Sequence, residues 1–199
     1  MQISGRKASS IDATTDVSRL GPEEASELLA GNLVPDPASG ILRLAGEPCL
    51  VVRPAAIVNI QKQLEQTIGG SSKGVLYLSG ERSSRTGMNP LESVRASSDE
   101  PLTFAGAKRI TAGASLLGWG RMEIAVFDPD HGRFVLAVKN CPLALAYGSS
   151  KKPVCHFLAG WIAGLGRNLL DREVLCEETA CAAQGRDWCE FELRPMPTS

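Results

Sequence analysis

Apolar residues recur every three or four positions in several stretches of this chain, and that spacing predicts helices. Pro22 opens a short helix that ends near Gly31. Pro54 opens a longer helix that carries apolar residues at helical spacing and ends at Gly69. The stretch 74–95 fits either a strand or one face of a buried helix. A further helix is predicted from about 102 to 117, and a last helix follows near the C-terminus.

The last predicted helix begins at Pro153 and has one strongly apolar face. The apolar stripe consists of Val154, Phe157, Leu158, Trp161 and Leu165. Gly160 and Gly164 lie four positions apart on this helix. Because glycine has no Cβ, this pair predicts that the backbone of another element approaches the helix closely.

Alternation between apolar and polar residues predicts strands elsewhere. The clearest pair is Met122–Val126 and Phe134–Val138, which flank the turn 128–132. A third short apolar run, 143–147, follows them. Two further pairs are predicted: a hairpin of 41–44 with 49–53, and terminal strands near 173–177 and 188–193.

Length and charge narrow the classes of function. The 199 residues fit one domain with an N-terminal extension, predicted as a tail and short helix over 1–32 and a binding domain over 33–199. Residues 1–18 lack periodicity and are predicted to be a mobile tail; a swapped dimer arm within 1–32 remains an alternative. A net charge of −1 gives no reason to expect nucleic acid as partner. Without an apolar run of membrane-spanning length or a signal-like start, we expect a cytoplasmic protein.

The six cysteines are unevenly placed, since four of them fall in the last 45 residues. A disulfide framework is a poor interpretation for a chain of this length without a secretory signal. Cys49 and Cys141 are explained as small buried apolar residues. The C-terminal cluster needs another explanation.

Cys155, Glu178, Cys181 and Cys189 have the chemistry of a closed tetrahedral zinc site. Close together without a cation, three thiolates and a carboxylate would repel one another. Four protein ligands leave no position for water, so such a site would be structural. Two alternatives stay open: the thiols are simply buried and reduced, or Cys176, which points the same way as Glu178 on a strand, replaces it.

The run Pro153–Gly164, followed by Glu178-x2-Cys181-x3-Gly185-x3-Cys189, resembles the 4-vinyl reductase domain family. Upstream, the segments from 40 to 138 resemble the sensor domains of aromatic-responsive bacterial transcription activators. The resemblance implies an α+β fold in which helices pack on an antiparallel sheet, related to TRAPP trafficking subunits. It also favours a helix over 74–95. It implies a homodimer with one structural zinc ion per chain, bound by the four residues named above.

The resemblance implies a ligand pocket as well. Phenol-sensing relatives carry a His just before the central hairpin and a Trp on its second strand, whereas 115–119 holds no His and 137–140 no Trp. We therefore expect a pocket in the same place for a hydrophobic molecule, but not for phenol. Candidate lining residues are Phe104, Ile110, Leu117, Trp119, Phe134 and Trp161.

The predicted function is a free-standing sensor or carrier that binds a hydrophobic small molecule and acts through a partner protein. The family name suggests an alternative, an enzyme or accessory factor that reduces a vinyl group of a tetrapyrrole in chlorophyll metabolism. No nucleotide or flavin fingerprint is visible in the sequence, so binding is favoured over catalysis.

Overall fold

The computed structural model describes residues 16–86, 103–170 and 172–196, and within these ranges the chain forms six α-helices and seven strands. The helices are α1 (Pro22–Asn32), α2 (Pro54–Ile68), α3 (Ser72–Thr86), α4 (Phe104–Leu116), α5 (Pro142–Tyr147) and α6 (His156–Leu170). The strands are β1 (Leu33–Asp36), β2 (Ile41–Leu44), β3 (Glu47–Cys49), β4 (Arg121–Asp128), β5 (Arg133–Lys139), β6 (Val174–Ala180) and β7 (Cys189–Pro195). The α+β class and the antiparallel pairing are confirmed.

The predicted helices are present, and their ends follow the predicted signals. Pro54 occupies the first turn of α2, where its missing N–H costs nothing, and Gly69 ends that helix with a positive φ of 59°. Helix α3 confirms the helical interpretation of 74–95 up to Thr86, and the rest of that stretch lies outside the described residues. Helix α6 starts at His156 rather than Pro153, because Cys155 is the capping residue whose carbonyl accepts from the Ala159 N–H.

The strands form two antiparallel sheets rather than one. The larger sheet has the order β4-β5-β7-β6, and the smaller one has the order β1-β2-β3. The predicted partner of 41–44 was 49–53, but the structure pairs β2 with Glu47–Cys49 through a tight turn at Ala45 and Gly46. Strand β1 was not predicted because Pro35 lies within it. An edge strand tolerates a proline, since one of its sides needs no backbone donor.

Two short segments also differ from expectation. The apolar run 143–147 lies within helix α5, whose first turn is set by Pro142. Residues Val17–Arg19 form a 3-10 turn capped by the Asp16 side chain, so the end of the segment predicted as a tail is structured. The rest of that predicted tail, 1–15, lies outside the described residues.

Helices α3 and α6 approach so closely that their backbones touch. A Cβ on Gly80 of α3 would overlap the Phe157 carbonyl oxygen of α6, and a Cβ on Gly160 of α6 would overlap the Tyr77 carbonyl oxygen of α3. The two contacts are reciprocal, since each glycine meets the residue three positions before the other. The close approach predicted from Gly160 and Gly164 is thereby confirmed.

The main core lies between the larger sheet and α6. Leu158 of α6, Val138 of β5 and Phe191 of β7 are fully buried there. Burial alternates along β6 and β7, so their inward side chains face α6 and their outward side chains are polar or exposed. None of the helices in the described ranges is long and apolar enough to cross a membrane.

Candidate metal centre and apolar cavity

The structure brings the four predicted metal ligands to one point. Cys155 precedes α6, Glu178 lies on β6, Cys181 follows β6, and Cys189 begins β7. Their ligand atoms all lie within 4.8 Å of one another, and all four residues are buried. A 3-10 turn over 182–184 and a left-handed residue at position 185 return the chain from Cys181 to Cys189. The cluster therefore joins the start of α6 to the β6–β7 hairpin, as the sequence predicted.

The distances between the sulfur atoms fit a tetrahedral zinc site. Cys155 Sγ lies 4.0 Å from Cys181 Sγ and 3.8 Å from Cys189 Sγ, and the last two sulfurs are 3.9 Å apart. Ligands about 2.3 Å from a zinc ion at tetrahedral angles place sulfur atoms about 3.8 Å apart. Three thiolates and a carboxylate are a ligand set that zinc prefers over magnesium or calcium. With four protein ligands such a site is closed and offers no position for a substrate.

The Glu178 carboxylate has one satisfied oxygen and one unsatisfied one. Its Oε2 accepts a hydrogen bond from the Cys155 backbone N–H at 2.7 Å, whereas Oε1 is buried without a partner. A β-bulge at Thr179 sits directly beside this residue, and such bulges change the direction of neighbouring side chains. A buried carboxylate oxygen without a donor is costly, and a bound cation would remove that cost.

Burial and proton sharing keep the cluster from carrying its full negative charge without a metal. Burial, followed by the hydrogen bond with Cys181, raises the pKa of Glu178 to about 8. Hydrogen bonds with the thiols of Cys141, Cys181 and Cys189 raise the pKa of Cys155 above its ordinary value. Both groups therefore hold protons at neutral pH, and a bound dication would displace them.

Cys176 does not join the cluster. It lies on the same inward face of β6 as Glu178, but it is not among the four residues whose ligand atoms converge. Burial raises the pKa of its thiol, and its backbone N–H donates to the Tyr77 hydroxyl at 3.0 Å. Of the two alternatives left open by the sequence, the geometry favours Glu178.

A fifth thiol was missed by sequence reasoning. Cys141 was assigned to the core, and it is fully buried, but its Sγ lies 3.6 Å from Cys155 Sγ. No local spacing reveals this contact. The signal would have been the pairing of β5 with β7, which sets Val138 opposite Cys189 and so carries Cys141 toward the cluster.

An apolar cavity of about 70 Å³ lies between α4, the larger sheet and α6. Side chains from all three layers line it, and none of them is charged. The lining residues are Ala107, Ile110, Thr111, Ala114, Met122, Ile124, Phe134, Leu136, Trp161, Ile162, Leu165, Gly166, Leu169, Leu170 and Leu193. The Thr111 hydroxyl donates within its own helix to the Lys108 carbonyl, so its proton is not directed into the cavity.

The six residues predicted to line a pocket fall into three places. Ile110, Phe134 and Trp161 line this cavity. Leu117 and Trp119 line a separate groove beside the β2–β3 hairpin, although Trp119 also stacks on Trp161 with ring centres 5.2 Å apart. Phe104 is exposed at the start of α4 and makes an edge-to-face contact with Phe127 of β4.

Comparison with known proteins places this site in a family. Residues 134–195 match the family model of the 4-vinyl reductase domain, and this segment contains all four residues of the cluster. An uncharacterised protein of Methanocaldococcus jannaschii is 31% identical over 75 residues, which cover 38% of this chain and 44% of that protein. A second is 39% identical over 59 residues, which cover 30% of this chain and 32% of that protein. The matches thus span less than half of the length of these curated relatives.

Solved structures share the fold at low sequence identity. The phenol-responsive sensory domain of the transcription activator PoxR, solved with phenol, superposes with a TM-score of 0.70 at 18% identity. That match covers 87% of this chain and 89% of the sensory domain. A trafficking protein particle complex subunit 3 from Naegleria fowleri, covalently bound to palmitic acid, gives a TM-score of 0.51 at 15% identity, covering 72% of this chain and 95% of that subunit. Together with the match over 134–195, these findings show that the chain contains a 4-vinyl reductase domain.

Proposed function

We propose that this 4-vinyl reductase domain protein binds a small apolar molecule in the cavity between α4, the larger sheet and α6, and acts as a sensor or carrier through a partner protein. The observation that carries this proposal is the composition of the cavity wall, which combines aliphatic and aromatic side chains without a charged group. The shared fold with a phenol-responsive sensory domain supports the same class of function.

The size of the cavity favours a compact ligand. A volume of about 70 Å³ exceeds that of one water site, about 10–15 Å³, but is smaller than the engineered cavity of about 150 Å³ that binds benzene. A monocyclic ligand therefore requires some outward movement of the wall. Trp161 and Leu169 are only partly buried and can supply that movement at lower cost than the fully packed side chains deeper in the core.

The chemistry of the wall favours a hydrocarbon over a phenol. Toluene and phenol have nearly the same shape, but the phenol hydroxyl needs a hydrogen-bond partner when buried. Without one, the penalty is about 1–3 kcal/mol, which corresponds to roughly 5- to 150-fold in affinity. We therefore expect toluene to bind at least about 5-fold more tightly than phenol.

The experiment is a calorimetric titration of the zinc-loaded protein with toluene and with phenol. Ala107→Leu, in the cavity wall, should abolish toluene binding by filling the space. Ala105→Leu, on the exposed side of the same helix, should leave it unchanged. Equal affinity for both compounds, or toluene binding that survives Ala107→Leu, would contradict the proposed site. Tight binding of a tetrapyrrole without toluene binding would favour the vinyl reductase alternative.

The proposal includes one structural zinc ion per chain, bound by Cys155, Glu178, Cys181 and Cys189. When bound, the ion would neutralise part of the cluster's charge and tie the start of α6 to the β6–β7 hairpin. Both elements also form walls of the cavity: α6 contributes Trp161, and β7 contributes Leu193. The cluster would thus fix the spacing of two walls without touching the ligand.

Metal analysis of the purified protein tests the zinc site. We expect about one zinc ion per chain, and Cys181→Ala should lose the metal and the cooperative unfolding transition together, because metal-binding energy is folding energy here. Cys176→Ala is the matched control, since this buried thiol lies outside the cluster. Protein that is free of metal after expression in zinc-containing medium would disprove the site.

The proposal further includes a homodimer. Leu50, Val51 and Val52 are consecutive in the chain and 87%, 78% and 55% exposed, an apolar surface that a second copy would cover. Light scattering should give twice the chain mass for the wild type and the single mass for Val51→Asp. Leu145→Asp, at an isolated exposed leucine on α5, should stay dimeric. A monomeric wild type would contradict this part of the proposal.

A further inference from the structure

The anionic groups of the predicted metal centre have hydrogen-bond donors, and three of the four donors are backbone amides. The Cys155 N–H donates to Glu178 Oε2 at 2.7 Å, and the Ala182 N–H donates to Cys189 Sγ at 3.3 Å. The Val154 backbone N–H donates to Cys181 Sγ. Such donors matter because a zinc ion with three thiolates and a carboxylate keeps a net charge of −2 in a buried site.

The fourth anionic group, the Cys155 thiolate, differs from the other three. Among the described residues, the hydrogen-bond contacts of its Sγ are all with other sulfur atoms. Two of these sulfurs belong to Cys181 and Cys189, which would themselves be thiolate ligands and could not donate. The third belongs to Cys141, whose Sγ lies 3.6 Å away and is fully buried. It is the one contact that can bring a proton to this ligand.

The position of Cys141 suits it for donation. It caps the start of α5, where the backbone N–H groups of Leu143 and Ala144 donate to its Sγ. Its acceptor capacity is thereby used, and its single proton remains to point at Cys155. Cys141 is not one of the four residues whose ligand atoms lie within 4.8 Å of one another, so it lies beside the tetrahedron rather than at a corner of it.

We propose that Cys141 is the outer hydrogen-bond partner of the metal centre and donates its S–H to the Cys155 thiolate. It is a positioning residue: it reduces the charge on one ligand and keeps that ligand in place, but it does not bind the ion. This inference rests on the proposed zinc site. It assigns α5 a contact with the centre in addition to those made by α6 and the β6–β7 hairpin.

The test compares zinc affinity and the absorption of the cobalt(II)-substituted protein among Cys141 variants of the whole chain. Loss of an outer hydrogen bond weakens metal binding by roughly 10- to 100-fold. We expect that loss in Cys141→Ala and in Cys141→Val, which restores volume without a donor. Cys141→Ser keeps a donor and should stay within a few fold of the wild type. Cys176→Ala, which removes another buried thiol, should bind zinc as the wild type does.

Cobalt spectra separate the possible roles of Cys141. A hydrogen bond lowers the energy of the sulfur electrons, so the sulfur-to-cobalt band should move to longer wavelength in Cys141→Val and not in Cys176→Ala. An unchanged band with unchanged affinity would overturn the proposal. A loss of one third of the band intensity would also overturn it, because Cys141 would then be a ligand. A wild type that binds neither zinc nor cobalt would instead disprove the metal site itself.

Discussion

The contact between α3 and α6 makes the sharpest prediction for stability, because two glycines of one helix differ only in what a methyl group would meet. A Cβ on Gly80 would overlap the Phe157 carbonyl oxygen and lie 2.9 Å from both the Phe157 carbonyl carbon and the Trp161 backbone nitrogen. A Cβ on Gly74 would meet nothing within 4 Å. The substitutions Gly80→Ala and Gly74→Ala are therefore chemically identical and sterically opposite.

The magnitude follows from which atoms must move. The obstacle to Gly80→Ala is backbone of α6, which cannot rotate away as a side chain could, so the two helices must separate. Overpacking costs about 1–3 kcal/mol, and the upper end applies when backbone is displaced. Alanine also favours the helix over glycine by up to about 1 kcal/mol, and only Gly74→Ala can realise that gain. We expect Gly80→Ala to destabilise by about 3 kcal/mol and Gly74→Ala to be neutral or stabilising.

Denaturation followed by circular dichroism at saturating zinc measures the difference. For a chain of this size, about 3 kcal/mol corresponds to a fall in Tm of roughly 6–12 °C. Saturating metal keeps zinc dissociation from contributing to the comparison. Equal stability of the two alanine variants would refute the reasoning, because it would mean that α3 and α6 are not in backbone contact.

Three further outcomes are expected. In metal-free protein, the raised pKa of Glu178 means that the folded state holds a proton the unfolded state has released, so its contribution to stability is present below pH 4.5 and is lost as pH rises to about 8. That loss amounts to at most about 5 kcal/mol relative to Glu178→Gln, and identical pH profiles for the two proteins would contradict it. Ile162→Ala should enlarge the cavity and tighten toluene binding while lowering stability by about 2–5 kcal/mol, as a paired titration and melt would show. Removing zinc with a chelator should abolish toluene binding, since α6 and β7 lose their link; binding that persists would separate the two sites.

Local signals in the sequence were sufficient for part of this fold. The helix that starts at Pro54 and the hairpin of β4 and β5 depend on prolines, turn residues and periodicity within a few positions, and both were predicted. The metal cluster was predicted because its spacing matches a family motif, and the structure brings those residues together. Gly160 was recognised as a contact point, but its partner Gly80 was not, since nothing near Gly80 in the sequence indicates which helix packs against it.

The cavity was harder to predict because its walls come from distant parts of the chain. Phe104 and Leu117 lie at the two ends of α4, and their apolar character alone does not tell which face of that helix meets the sheet. The structure turns Ile110 inward and leaves Phe104 exposed against Phe127. Cys141 was missed for the same reason, because its position depends on β5 pairing with a strand that starts 50 residues further along the chain.

The positions of cluster and cavity on the same two elements explain how a site without chemistry can matter for binding. Helix α6 begins at the cluster and lines the cavity one to three turns later, and β7 runs from Cys189 to Leu193 in the same direction. A cavity of about 70 Å³ changes its affinity greatly when one wall moves by a fraction of an ångström, because dispersion contacts fall off steeply with distance. A rigid link at one end of both walls therefore restricts their movement to the far end, where Leu169 and Leu170 lie. Ligand entry would then displace the C-terminal end of α6 rather than its start, and that end is where a partner protein would detect the bound state.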